Sequence, residues 1–235
     1  NNHFGQYGRE SAAATISALE SRAIHCTGLG PNPLVLQKHG QTLRIWGINT
    51  VPSYRADGDV GWICDLARLP DQLRLPASKP RGECWIVLIH WGDEYRCLPS
   101  REQRICAERL ARKGVDLIAG HHPHVIQPVE KMGQALVCFS LGNLLFDQDF
   151  SSLTRTGLLV DVGWPGGKTD LIMTEQHRHA LTRWRSLQPE ELSAWCRRHD
   201  AVWNPERMRV AMKLELFRHY FAVPRPVRRH FLRRF

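Results

Sequence analysis

Gly120-His121-His122-Pro123-His124-Val125 is the stretch that decides the reading of this chain. It follows directly on the apolar run Val115-Asp116-Leu117-Ile118-Ala119. Such a run reads as a short buried strand, so the three imidazoles fall where a strand becomes a loop. That is the rim of a sheet, where α/β proteins place their chemistry. Neutral imidazole is the commonest metal ligand near neutral pH. Trp85-Ile86-Val87-Leu88-Ile89-His90 repeats the pattern of a buried strand ending on histidine, and Asn1-Asn2-His3 offers a third segment. Three separated segments presenting Asn and His from short loops predict one metal site assembled in space.

Around this constellation lie 235 residues, enough to bury a full core. That length suggests one large domain, or one domain with an appendage. The hydrophobic share of 43% is ordinary for a globular chain. No run of about 18 apolar residues occurs, so no transmembrane helix is expected within the chain. The opening Asn1-Asn2-His3-Phe4-Gly5 reads as the interior of a domain, which predicts a piece of a longer protein. The formal charge of +9 favours anionic partners: an anionic polymer, a phosphorylated substrate, or an acidic membrane surface. Five arginines and no acid occupy residues 224–235, a basic end of the chain. Phe231 and Phe235 sit among them, but fit an amphipathic helix better than a base-stacking platform, so nucleic acid is not the expected partner. Seven cysteines, with no CxxC spacing, read as mostly reduced and in apolar or amphipathic surroundings.

Periodicity predicts a helix over 9–22, then a strand from Ala23 into a Gly-Pro turn at Gly30. Two strands, 34–37 and 43–48, flank His39-Gly40-Gln41, a hairpin signal. Residues 52–83 form a long irregular connection with a helical turn near Trp62 to Leu69. Ser100 caps a helix whose buried face is Ile105, Ala107, Leu110 and Ala111, and Gly114 ends it. Strands follow at 115–119, 125–129, 135–140, 157–163 and 169–176. From 177 the composition shifts to Trp, Arg and His on helix-like patterns near 189–199 and 205–222. The predicted division is a domain over 1–176 and a basic, mainly helical extension over 177–235.

Four motifs occur in order: His90-Trp91-Gly92-Asp93-Glu94-Tyr95; Pro99-Ser100 with Gln103; Gly120-His121-His122-Pro123-His124-Val125-Ile126-Gln127-Pro128 with Glu130; and Ser140-Leu141-Gly142-Asn143 with Phe146-Asp147. Together with Asn1-Asn2-His3 they resemble the CapA family, the poly-γ-glutamate capsule biosynthesis proteins. The resemblance covers roughly residues 1–176. It implies an α/β fold, the four-layer α/β/β/α sandwich of calcineurin-like metallophosphoesterases, here without its first strands. It implies Asn2, His90, His122 and His124 as metal ligands, and His3 as the imidazole facing a substrate phosphate. It also implies two divalent ions (Mn, Fe or Zn), a bacterial cell-envelope setting and a membrane-associated synthesis complex.

The residues themselves argue in the same direction. Two divalent ions about 4 Å apart lower the pKa of a bridging water and clamp a phosphate for in-line attack. His122 and His124, two apart around Pro123, can point the same way from an extended segment, with His121 pointing elsewhere. Glu94 and Asp93 offer carboxylates; for Glu94 the preferred reading is a hydrogen bond to a ligand histidine. Asn143 and Asp147 follow an apolar strand, where they either line the cleft or stabilise a turn.

Two departures from the family pattern bear on activity. The resemblance implies a preceding segment whose Gly-Asp and Asn-Leu-Glu motifs, on the first strands, complete the family's site, and that segment is missing here. Gln6 stands where the family usually has an Asp that would orient His3 and favour its protonated form. Two function classes therefore remain open: a metal-dependent hydrolase of a phosphoester or related bond, and a non-catalytic scaffold or export component of a polymer synthesis complex.

Overall fold

The computed structural model describes residues 2–5, 7–52, 64–148, 150–164, 166–177, 180–202, 204, 206, 210, 211, 213 and 214. Gln6, residues 53–63 and the arginine-rich tail lie outside the described residues, as does most of the helix-like pattern of 205–222.

Helix α1 spans Gly8–Glu20. The predicted hairpin is β1, Leu34–Lys38, against β2, Gln41–Asn49, in antiparallel register. His39 and Gly40 both adopt positive φ, 50° and 72°, the backbone that a two-residue hairpin turn matched to strand twist requires. A short helix α2, Leu69–Gln72, precedes β3, Glu83–His90. Helix α3, Arg101–Arg112, starts at Ser100 through a reciprocal capping box with Gln103. After α3 come β4, Leu117–His121, β5, Val129–Met132, and β6, Ala135–Cys138. A second sheet contains β7, Thr156–Val162, β8, Thr169–His177, and β9, Ala180–Leu187, and α4, Pro189–Ala201, follows it.

The larger sheet runs β1-β2-β3-β4-β6-β5, with β2 to β6 parallel and an antiparallel strand at each edge. Its strands alternate cleanly between two cores. Trp85, Val87, Ile89, Ile118, Ala135 and Val137 face Cys106, Ala107 and Leu110 of α3. On the opposite face Leu117, Val129, Leu136 and Cys138 meet Leu158, Leu171 and Met173 of the second sheet. Backbone bonds from Leu158 N to Leu141 O and from Asn143 N to Thr156 O tie residues 141–143 to β7. A helix-covered sheet packed on a second sheet is the α/β sandwich that the resemblance implies, and the C-terminal helix is present.

Four local readings are corrected. Residues 24–28 form no strand: the segment crosses β2 by close backbone approach, since a Cβ on Gly47 would lie 2.9 Å from Gly28 N. Ile105 is exposed, and the buried face of α3 is Gln103, Cys106, Ala107 and Leu110. Residues 125–128 are not strand, and the ladder starts only at Val129. The expected boundary at 176 falls inside β8, whose partner β9 is extended rather than helical. Leu187, Leu192 and Cys196 join the second core, so residues 180–201 continue the domain. All seven cysteines are free, six of them buried.

Candidate metal centre

Strands β2, β3 and β4 are parallel neighbours that stop at the same height. Asn49 pairs with His90, and His90 with His121, at their C-terminal ends. The chain therefore delivers polar residues from three strands to one sheet rim, the position where open α/β sheets bind ligands. Beneath the rim, Trp91 N donates to His121 O and Leu141 N donates to Gly120 O, fixing the start of the histidine segment.

His122 and His124 do not come together as an extended pair. Both take positive φ, 100° and 59°, so the loop coils and turns the two rings toward each other. Their centroids are 6.1 Å apart, and His90 lies 4.8 Å from His122. Non-glycine residues in this backbone region carry strain that surrounding structure must hold. Here the holding contacts are visible: Tyr95 N donates to Pro123 O at 2.7 Å, and the Tyr95 ring stacks on His124.

Hydrogen bonds set the ring tautomers. Asn143 Nδ2 donates to Thr154 O at 3.0 Å, which leaves its Oδ1 as the acceptor facing His124 Nδ1 at 3.1 Å. His124 thus carries its proton on Nδ1 and keeps Nε2 free to ligate. Asn2 is buried, and its Oδ1 lies 3.0 Å from His90 Nε2. Burial, reinforced by the neighbouring imidazoles, pushes His90 down to about 2. His122 is lowered to about 4, by burial first and then by His124, with Asp93 opposing. Both rings are neutral at pH 7, the form that binds cations.

One cavity of about 570 Å³ is lined by His90, His121, His122, His124 and Asn143. The structure thus brings together four of the predicted residues with His121, which was expected to point away. Asn2 joins them through His90. His3 is exposed and near enough to His122 for its charge to lower that ring further. Glu94 is exposed, with its carboxylate close to His122 and His124. Asp147 is exposed and does not line the cavity.

Two contributors escaped sequence reasoning. Asn49 is buried at the cavity wall, where its side-chain oxygen accepts from Val51 N. Its signal was the apolar Ile45-Trp46-Gly47-Ile48 run ending on a polar residue, as β3 ends on His90. Phe146 sets its ring 5.3 Å from His124.

Comparison with known proteins bears directly on this geometry. Residues 1–148 match the family model described as Bacterial capsule synthesis protein PGA_cap. The chain belongs to the PGA_cap family. The family's capsule biosynthesis protein CapA of Bacillus anthracis is 29% identical over 175 residues, covering 68% of this chain and 42% of that protein. The PGA biosynthesis protein CapA of Bacillus subtilis is 27% identical over 169 residues, covering 68% and 44%. A probable polyglutamine synthesis accessory protein of Mycobacterium tuberculosis is 24% identical over 171 residues, covering 63% and 44%. The chain spans less than half the length of these relatives. Among the described residues no helix is long and apolar enough to cross a membrane.

Proposed function

We propose that this chain carries the metal-binding part of a protein that builds a bacterial capsule or a poly-γ-glutamate-type envelope polymer. Its histidine centre hydrolyses a phosphoester or a related bond in that process. The convergence of His90, His122 and His124 on one cavity at the C-terminal rim of a parallel sheet, with His90 and His122 held neutral, carries this reading. The names of the relatives, capsule and polyglutamate biosynthesis proteins, support the setting.

The donor set fits divalent transition metals. Imidazole suits Zn and Fe, and amide and carboxylate oxygens extend the range to Mn. Asn2 Oδ1 and His90 Nε2, 3.0 Å apart, have the spacing of two ligands on one ion. Bound there, the ions would lower the pKa of a coordinated water and polarise a phosphoryl oxygen. The chain's own residues do the rest. Asn143 orients His124, Trp91 and Gly120 hold the loop in place, and His3 at the rim faces an incoming anion. The net charge of +9 suits an anionic polymer or phosphorylated substrate, presented within a membrane-associated synthesis complex.

Turnover of bis(p-nitrophenyl) phosphate with added Mn²⁺ tests the hydrolase. Metal-dependent turnover by the wild type, absent in a His122→Ala/His124→Ala variant, is the predicted outcome. One observation favours a second reading, a non-catalytic scaffold or export component: among the described residues, no carboxylate lines the cavity. Metal binding without any turnover would select that reading.

A further inference from the structure

We infer that Glu94 is a direct metal ligand, and that Glu94, His122 and His124 form a self-contained three-residue position for one divalent cation. The inference rests on the metal-centre reading above and goes beyond it by supplying a carboxylate from within this chain. One ligand atom from each of the three residues lies within 4.8 Å of the other two. Ligand bonds of about 2.0–2.2 Å let two donors on one ion sit up to roughly 4.2 Å apart. Side-chain shifts of about 1 Å or less therefore close the group on an ion.

The backbone of the Glu94 loop is arranged for this purpose. Gly92 has φ 82°, and a Cβ there would lie 2.7 Å from the Gln103 side chain. Tyr95 has φ 65°, an uncommon conformation for an aromatic residue. The left-handed turn is held by Tyr95 N on Pro123 O, by Cys97 N on Asp200 Oδ1 at 3.1 Å, and by Gln127 Nε2 on Arg96 O at 2.9 Å. The first of these bonds joins the Glu94 loop to the histidine loop, so the three ligands sit on one braced unit. Strained residues held by such contacts point to function rather than to loose connection.

Charge gives an independent argument. In this basic chain, Glu83, Glu130 and Asp200 each pair with an arginine. Among the described residues no arginine or lysine pairs with Glu94, and its carboxylate stands beside His122 and His124 at the mouth of the site. Two imidazoles and one carboxylate give a divalent ion one compensating charge and leave coordination positions open. That is the donor set of catalytic zinc centres with an exchangeable position.

Cobalt(II) titration of the purified chain, followed by calorimetry and visible absorption, tests the assignment. Removing an outer partner of a ligand costs about 10–100-fold in affinity, so the absorption spectrum separates direct ligation from support. Glu94→Ala is expected to weaken Co²⁺ binding more than about 100-fold and to change the shape of the d–d bands. Glu94→Asp is expected to restore part of both. Equal melting temperatures of the metal-free wild type and Glu94→Ala would show that the fold is intact. A Glu94→Ala spectrum superimposable on wild type, with affinity within about twofold, overturns the Glu94 assignment alone if His122→Ala/His124→Ala still abolishes binding. A wild-type chain that binds no Co²⁺ overturns both this inference and the metal-centre reading.

Discussion

Gly120→Ala is the smallest change that should break the centre. Gly120 has no positive φ, so an alanine there is not strained by its backbone, and the whole effect is steric. Its Cβ would fall well inside contact distance of Phe139 O and Trp91 Nε1, and 2.7 Å from Phe139 C. Trp91 and Phe139 are fully buried, and the indole donates to Phe139 O at 2.8 Å. Neither partner can give way without parting that bond. Overpacking a core costs about 1–3 kcal/mol, and a buried donor and acceptor left unpaired cost about 1–3 kcal/mol more. The sum is about 2–6 kcal/mol, and for a chain of this size each kcal/mol lowers the melting temperature by about 2–4 °C. A drop on the order of 10 °C in a circular-dichroism melt is therefore predicted, with weakened Mn²⁺ binding because His121 and His122 follow directly. Gly133→Ala is the control: no heavy atom lies within 4 Å of its Cβ, and only its φ of 60° opposes the change, at a cost of about 1–2 kcal/mol. A Gly120→Ala protein melting within about 2 °C of wild type would refute the steric reasoning.

Two further outcomes follow from the site geometry. Asn143→Ala removes the acceptor that fixes the His124 tautomer, so Mn²⁺ affinity should fall about 10–100-fold; calorimetric titration checks it, and unchanged affinity would show that Asn143 does not orient the ring. Acid should destabilise the metal-free fold through His122. Unfolded imidazoles protonate below about 6.5, whereas this ring stays neutral down to about 4. The unfolded state then binds more protons, and stability falls as pH drops from 6.5 toward 4. The slope is at most roughly 1.4 kcal/mol per pH unit for this ring, reduced by solvent screening. Urea midpoints at pH 7.5 and 5.0 measure it, and His122→Ala should lessen the difference while leaving the share of His90, whose ring is held lower still.

The elements that were legible in the sequence are those whose signals are local. The β1–β2 hairpin was marked by alternation around His39-Gly40, and α3 by Ser100 and Gln103, because capping chemistry acts over three residues. Buried β3 and β4 ending on histidine fixed the rim of the site. Failures came where tertiary contact decides. Ile105 is apolar, but helical spacing alone does not say which side of α3 meets the sheet. Ala180 to Ser186 are all exposed, with only Leu187 buried, so β9 carried no period-two apolar signal. The close meeting of His122 with His124 and the placement of Glu94 both depend on left-handed backbone at His122, His124 and Tyr95. L-residues enter that region only when neighbouring contacts hold them. Nothing in the residue types announces it.

Elemental analysis of the purified chain beside its His122→Ala/His124→Ala variant tests the central claim most directly. Bound Mn, Fe or Zn is expected, with about two equivalents for a filled centre, and its loss in the double variant while the fold persists by circular dichroism. A folded wild-type chain that retains no metal after incubation with each of these ions would contradict it.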